Sequence, residues 1–122
     1  MKVLVVEDDR KVAGFIEQGL KEEGWTVDVA PDGDEATMLA HVYQYDVILL
    51  DVNMPGMTGP ELHRHLVKEG YEIPTILVTA YPDDAVRARA LKDGVLCYLP
   101  KPVDDHHMEE CIRFALAADE AR

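Results

Sequence analysis

The chain has 122 residues, of which 48% are hydrophobic and 30% are charged, and its formal net charge is −12 at pH 7. These values are typical of one soluble globular domain with a core of its own. A field of this sign repels nucleic acid, so we expect no direct binding to DNA. The sequence has no basic-apolar leader and no apolar run of roughly 18 residues, so we expect no membrane insertion and a cytoplasmic location.

Short apolar, β-branched runs alternate along the chain with segments of helical periodicity. The runs predicted to be strands are Val3–Val6, Trp25–Ala30, Val47–Leu50, Thr75–Thr79 and Val95–Leu99. After the first run, Val12, Ile16 and Leu20 recur every four residues, with Asp9 as the expected N-cap and Gly24 as the expected stop. The later intervening segments repeat this apolar spacing.

The alternation of strand and helix occurs five times, which predicts an α/β fold with a doubly wound parallel sheet. The central runs are continuously apolar, as expected of strands that are covered on both faces. Right-handed crossovers place the C-terminal ends of all strands along one edge of the sheet. Ligands bind at that edge in folds of this kind.

Polar side chains follow the strands at this edge. Glu7 and Asp8 come after the first strand, Asp51 after the third, Thr79 closes the fourth, and Lys101 follows the fifth. Carboxylates brought together repel one another unless a proton or a cation compensates. An all-oxygen ligand set with room for water suits Mg²⁺, so the sequence predicts a Mg²⁺ site at this edge.

The same residue types suit phosphoryl transfer to a carboxylate. Asp51 is the expected nucleophile, which would form an acyl phosphate. Phosphoryl transfer needs alignment and positive charge on the phosphoryl oxygens, which Mg²⁺, Lys101 and the Thr79 hydroxyl can supply. The Pro/Gly-rich loop after Asp51 leaves one side of the carboxylate open, and the backbone carbonyl of Asn53 can turn towards the metal.

Four stretches of this sequence resemble the receiver domain of two-component response regulators, including the chemotaxis receivers. They are KVLVVEDD, YDVILLDVNMPGMTGPEL, IPTILVTAY and GVLCYLPKP, in this order. The resemblance extends over residues 1–122 as a single receiver (response regulatory) domain. It implies a flavodoxin-like (βα)5 fold with strand order 2-1-3-4-5.

The resemblance also implies a role for each residue of the predicted Mg²⁺ site. Asp8 matches a direct Mg²⁺ ligand, and Glu7 matches an acid that reaches the metal through water. Asp51 matches the phosphoryl acceptor, which is also a metal ligand. Asn53 matches the position that contributes a backbone carbonyl to the metal.

The remaining matched residues belong to the switch of the family. Thr79 matches the switch hydroxyl, Lys101 the lysine that contacts the phosphoryl group, and Tyr98 the aromatic residue that swings inward with Thr79. The peptide bond before Pro102 is expected to be cis. Tyr81, two residues after Thr79, is expected to shield the acyl phosphate from water.

The function implied by the resemblance is a phosphorelay switch. A sensor histidine kinase or a histidine phosphotransfer protein would donate the phosphoryl group to Asp51. The face formed by the fourth helix, fifth strand and fifth helix would then control an output domain or partner protein, and a phosphorylation-linked homodimer is compatible with this scheme. The domain would catalyse only its own phosphorylation and dephosphorylation, so we do not expect an enzyme that acts on a metabolite.

Three other classes of protein fit this sequence less well. A Mg²⁺-dependent phosphatase with an aspartyl nucleophile usually carries a second acid two residues later, where this chain has Asn53. A nucleotide- or flavin-binding domain would need a phosphate-cradling loop after the first strand, where this chain has acids. A degenerate, binding-only receiver is disfavoured by the complete set of acids, hydroxyl and lysine.

Four histidines are candidates for metal ligands or contact residues. His63 and His65 are two positions apart on a helix and face different directions, which makes a poor metal pair. His106 and His107 open the last helix. We expect all four to be exposed structural residues.

Overall fold

The computed structural model describes the backbone of residues 1–120 and the side chains of residues 1–118. Five strands and five helices alternate along the chain. The strands are β1 (Lys2–Val6), β2 (Thr26–Ala30), β3 (Val47–Asp51), β4 (Thr75–Thr79) and β5 (Cys97–Pro100). The helices are α1 (Arg10–Glu22), α2 (Gly33–Val42), α3 (Gly59–Lys68), α4 (Asp84–Lys92) and α5 (Asp105–Glu120).

All strands are parallel and lie in the order β2-β1-β3-β4-β5, which confirms the predicted (βα)5 doubly wound, flavodoxin-like sheet. The register places Val6 of β1 opposite Leu50 of β3, and Asp51 opposite Val78 of β4. Asp51 is therefore the last residue of its strand. Glu7, directly after β1, is level with it at the same edge of the sheet.

The sheet is covered on both faces, because alternate residues of each strand point to opposite sides. Leu4 and Leu50 pack into one core with apolar residues of α2, α3 and α4. Val5 and Leu49 pack into a second core with residues of α1 and α5. This double burial explains why the central strands are apolar at nearly every position.

Hydrogen bonds at helix ends fix where two of the strands start. The N–H of Trp25 donates to the carbonyl of Leu20, and the N–H of Val95 donates to that of Ala90. Both residues thus complete the preceding helix instead of joining the sheet. For this reason β2 begins one residue later, at Thr26, and β5 two residues later than the sequence predicted.

Asp9 caps α1, as its position predicted. Its side chain accepts hydrogen bonds from the N–H groups of Lys11 and Val12. This satisfies two of the donors that the first turn of a helix leaves without partners. Asp9 is accounted for by this role, and Gly24 ends the helix region in a left-handed conformation with φ of +90°.

The expectation of exposure was wrong for His63, which is only 6% exposed in the second turn of α3. Burial lowers the pKa of His63, since it penalises the charged imidazolium, although the charge of Asp93 acts in the opposite direction. A sequence cannot show this, because the side of α3 that is buried depends on how the helix lies on the sheet.

The lowered pKa of His63 predicts a pH-dependent stability. The unfolded chain, with an ordinary pKa of 6.5, binds the proton more readily than the folded domain does. The free energy of unfolding contributed by this group is therefore complete above pH 6.5 and is lost as the pH falls through the lower folded pKa. Urea unfolding should show a smaller loss of unfolding free energy between pH 7.5 and pH 5.5 in His63→Gln than in the wild type. His65→Gln, a more exposed change on the same helix, is the matched control for the substitution itself.

Candidate functional site

Three carboxylates converge at the C-terminal ends of β1 and β3. One oxygen from each of Glu7, Asp8 and Asp51 lies within 4.8 Å of the other two. Glu7 is 4% exposed and Asp51 5% exposed, whereas Asp8 lies open to solvent. Two nearly buried acids and one accessible acid thus form one cluster, as the alignment of parallel strands requires.

Lys101, which directly follows β5, reaches into this cluster. Its Nζ lies 2.5 Å from Oε1 of Glu7 and 3.2 Å from Oδ1 of Asp51. The peptide bond between Lys101 and Pro102 is cis. The ammonium therefore contacts both buried acids, although these three residues lie at the ends of three different strands.

The electrostatics of the cluster follow from burial and from these contacts. Burial raises the pKa of Glu7 well above its ordinary value, the hydrogen bond from Lys101 opposes this, and the neighbouring Asp51 adds to it. For Lys101, partial burial disfavours the charged form. The hydrogen bond to Glu7 and the charge of Asp51 outweigh that effect and raise the pKa of Lys101.

The donor set suits Mg²⁺. Glu7, Asp8 and Asp51 offer carboxylate oxygens, and Mg²⁺ prefers one or two carboxylates together with water and phosphate oxygens. Asp8 is accessible to a hydrated ion. Both oxygens of Glu7 already have partners, namely Lys101 and the N–H of Asp9. Asp8 and Asp51 are therefore better placed than Glu7 to contact an ion directly, and Glu7 would reach it through water.

The loop after Asp51 is fixed by close backbone contacts. The N–H of Asn53 donates to Oδ1 of Asp51 at 3.4 Å, and the N–H of Gly59 donates to the carbonyl of Val52 at 3.0 Å. At Gly59 an added Cβ would lie 2.4 Å from the carbonyl oxygen of Asp51. The loop can return beside the acceptor strand only because α3 begins with a residue that has no side chain.

Thr79 lies at the end of β4 and is 0% exposed. Its hydroxyl donates to Oδ1 of Asn53 at 3.0 Å and accepts from the N–H of Tyr81, also at 3.0 Å. The sequence indicated only the backbone carbonyl of Asn53 as functional. The contact of its side chain with Thr79 was missed, because nothing in the sequence shows which side chains meet across two strands.

A family model described as the response regulator receiver domain matches residues 3–113. The chain belongs to this family. It is also 38% identical over 116 residues to the transcriptional regulatory protein TctD of Salmonella typhimurium, which covers 95% of this chain and 52% of TctD. The receiver domain thus spans about half the length of the curated relatives it matches.

Solved structures have the same fold. The receiver domain of the Francisella response regulator 1452 is 34% identical, with a TM-score of 0.89, over 97% of this chain and 98% of that one. The Vibrio cholerae chemotaxis protein CheY4 is 29% identical, with a TM-score of 0.87, over 94% of this chain and 98% of that one. These similarities agree with the flavodoxin-like receiver fold predicted from the sequence.

Tyr98 connects β5 of the receiver domain to the start of α4. Its hydroxyl accepts a hydrogen bond from the N–H of Asp83 at 3.2 Å, and Asp83 caps α4 through its side chain. The Tyr98 ring is half-buried and packs against the core beneath α2, α3 and α4. Tyr81, by contrast, is 75% exposed. A movement of Tyr98 would therefore act directly on the N-terminus of α4.

His106 and His107 of the receiver domain are exposed, as expected. His106 pairs with Glu110 at 3.0 Å, and His107 pairs with Asp104 at 2.8 Å. These contacts are local, at the start of α5.

Among the described residues, there is no helix with the length and apolar character needed to cross a bilayer.

Proposed function

We propose that this receiver domain accepts a phosphoryl group on Asp51 from the phosphohistidine of a sensor histidine kinase or a histidine phosphotransfer protein. The observation that carries the proposal is the contact of Lys101 with Asp51 beside a solvent-accessible acid, Asp8. In the transfer, an oxygen of Asp51 forms a bond to phosphorus and the P–N bond of phosphohistidine breaks. The histidine leaves as a neutral imidazole after taking up a proton. The proposed location is the cytoplasm.

Each residue at this edge of the sheet has a task in the proposed reaction. Asp8 and Asp51, with the backbone carbonyl of Asn53, would hold Mg²⁺, and Glu7 would hold it through water. The bound ion supplies positive charge against the oxygens of the transferring phosphoryl group. Lys101 already lies beside the acceptor and would contact a further oxygen of that group.

The proposed output is a change of the surface formed by α4, β5 and α5. Phosphorylation adds charge and strong hydrogen-bond acceptors at Asp51, which would draw Thr79 inward and let Tyr98 follow. Because Tyr98 contacts the capping residue Asp83, its movement would reach α4. The altered face would act on an output domain, a partner protein or a second copy of the domain. No contact with nucleic acid or membrane is part of this proposal.

The domain would act on its own phosphoryl group and not on a metabolite. A phosphatase with an aspartyl nucleophile needs an acid near that nucleophile to protonate the leaving group. Asn53 stands two residues after Asp51, and its amide cannot donate a proton in this way. This supports a switch over a hydrolytic enzyme.

The test is incubation with acetyl phosphate and Mg²⁺, followed by intact-mass measurement. We expect the wild type to gain the mass of one phosphoryl group, and to gain none when EDTA removes the metal. Asp51→Asn should remain unmodified, whereas Asp34→Asn, an exposed change on α2, should behave as the wild type. Phosphorylation of Asp51→Asn to the wild-type extent would refute the proposal.

Tyr81→Ala is expected to shorten the lifetime of the phosphorylated form several-fold. The ring is exposed and follows Thr79 closely in sequence, so it can lie over the acyl phosphate and exclude water. Loss of phosphate over time, measured by intact mass after removal of the donor, checks this. Tyr81→Phe keeps the ring and should decay at the wild-type rate. Equal rates for Tyr81→Ala and the wild type would show that the ring does not shield the acyl phosphate.

A further inference from the structure

The hydroxyl of Thr79 has one proton, and that proton is directed to the side chain of Asn53. The Oγ1–Oδ1 distance is 3.0 Å, and the second contact of the hydroxyl, from the N–H of Tyr81, is one in which it accepts. A hydroxyl donates a single hydrogen bond. Thr79 therefore cannot donate to a phosphoryl oxygen on Asp51 while it donates to Asn53.

The surroundings of the two partners are unequal. Thr79 is 0% exposed, so its hydroxyl depends on a protein acceptor, whereas Asn53 is exposed and its amide oxygen can be hydrated by water. Leaving a buried donor without an acceptor is unfavourable, but exposing an amide oxygen to water is not. When this hydrogen bond breaks, water can hydrate the Asn53 amide oxygen, whereas the Thr79 hydroxyl needs a new acceptor such as a phosphoryl oxygen.

We infer that the Asn53 side chain is a positioning residue that holds the Thr79 hydroxyl in the unphosphorylated domain. It sets how readily a phosphoryl group on Asp51 recruits that hydroxyl. Its backbone N–H also contacts Asp51, so Asn53 lies between the acceptor and the switch residue. This inference rests on the proposed function for its consequence, and on the observed hydrogen bond for its physical basis.

The first test measures the hydrogen bond without any phosphoryl group. Asn53→Ala should raise the equilibrium constant for urea unfolding about tenfold, because it leaves the buried hydroxyl without an acceptor. In a Thr79→Val background the same change should have an effect of less than about twofold. Thr79→Ser, which keeps the hydroxyl, should restore the full effect. Thr75→Val is the matched control, since Thr75 is a buried threonine of the same strand that donates to Ile73.

The second test measures recruitment with beryllofluoride, a mimic of the acyl phosphate, in the presence of Mg²⁺. Asn53→Ala should bind beryllofluoride about tenfold more tightly than the wild type, because the freed hydroxyl gains an acceptor in the complex. This increase in beryllofluoride affinity should persist when Asn53→Ala is combined with Thr75→Val, and it should disappear when Asn53→Ala is combined with Thr79→Val.

The outcomes separate this inference from the proposed function. Equal effects of Asn53→Ala in the Thr79→Val and Thr75→Val backgrounds would overturn the inference. If the wild type failed to bind beryllofluoride while the unfolding coupling persisted, the proposed function would be wrong and the hydrogen bond would stand. If the wild type bound beryllofluoride without any coupling, only the positioning role of Asn53 would be wrong.

Discussion

Gly59→Ala is expected to lower the free energy of unfolding by about 3 kcal/mol, because the added methyl group enters occupied space. The Cβ would lie 2.4 Å from the carbonyl oxygen of Asp51, 3.0 Å from its carbonyl carbon and 3.1 Å from Cα of Val52. All three are backbone atoms, which cannot rotate away as a side chain could. Relief of the clash must shift β3 or α3, and with it the acceptor.

Urea unfolding and phosphorylation by acetyl phosphate measure the two effects of Gly59→Ala. Gly14→Ala is the matched control, because an added Cβ on α1 meets nothing within 4 Å. Alanine is favoured over glycine inside a helix by about 0.5–1 kcal/mol, so this change should stabilise the domain. If Gly59→Ala were as stable as the wild type, the close approach of α3 to the acceptor strand would be wrong.

Lys101→Met is expected to lower the free energy of unfolding by about 2–3 kcal/mol in the presence of EDTA. The substitution keeps an apolar stem but leaves Glu7 and Asp51, both nearly buried, without the ammonium that contacts them. Removing one partner of a fully buried ion pair costs about 3–5 kcal/mol, and the 17% exposure of the Lys101 side chain reduces that figure. The domain should still fold, since typical stabilities are about 5–15 kcal/mol, but phosphorylation should weaken.

Two further variants test the cause of this loss. Lys21→Met removes an exposed lysine paired with Glu17 at 3.0 Å, and its effect should be below about 1 kcal/mol. Glu7→Gln combined with Lys101→Met should recover part of the lost stability, because a neutral amide avoids the cost of charging or protonating the buried Glu7 carboxyl group beside Asp51. A double variant no more stable than Lys101→Met, measured by urea unfolding in EDTA, would argue against repulsion between the acids.

The sequence was sufficient to predict the sheet and the edge where the site lies. Parallel strands end at one edge, so residues that follow strands become neighbours even when they are far apart in the chain. Glu7, Asp51 and Lys101 meet for this reason. The cap at Asp9 was equally predictable, because it depends only on the residues next to it.

Other features depend on distances across the sheet, which spacing along the chain does not determine. The Asn53 side chain meets Thr79 because the loop after β3 lies beside the end of β4. His63 is buried because of the way α3 rests on its core, and the role of Gly59 comes from the path of the loop before it. Each of these features depends on how the strands, helices and loops pack in three dimensions.

Chemical trapping of the phosphorylated residue tests the central claim most directly. After incubation with acetyl phosphate and Mg²⁺, borohydride reduces an acyl phosphate on aspartate to homoserine, and fragmentation of the resulting peptide locates the change. We predict homoserine at position 51 in the wild type, and unmodified side chains at positions 8 and 46 of the same sample. Reduction at another aspartate with position 51 intact would contradict the assignment of Asp51 as the phosphoryl acceptor.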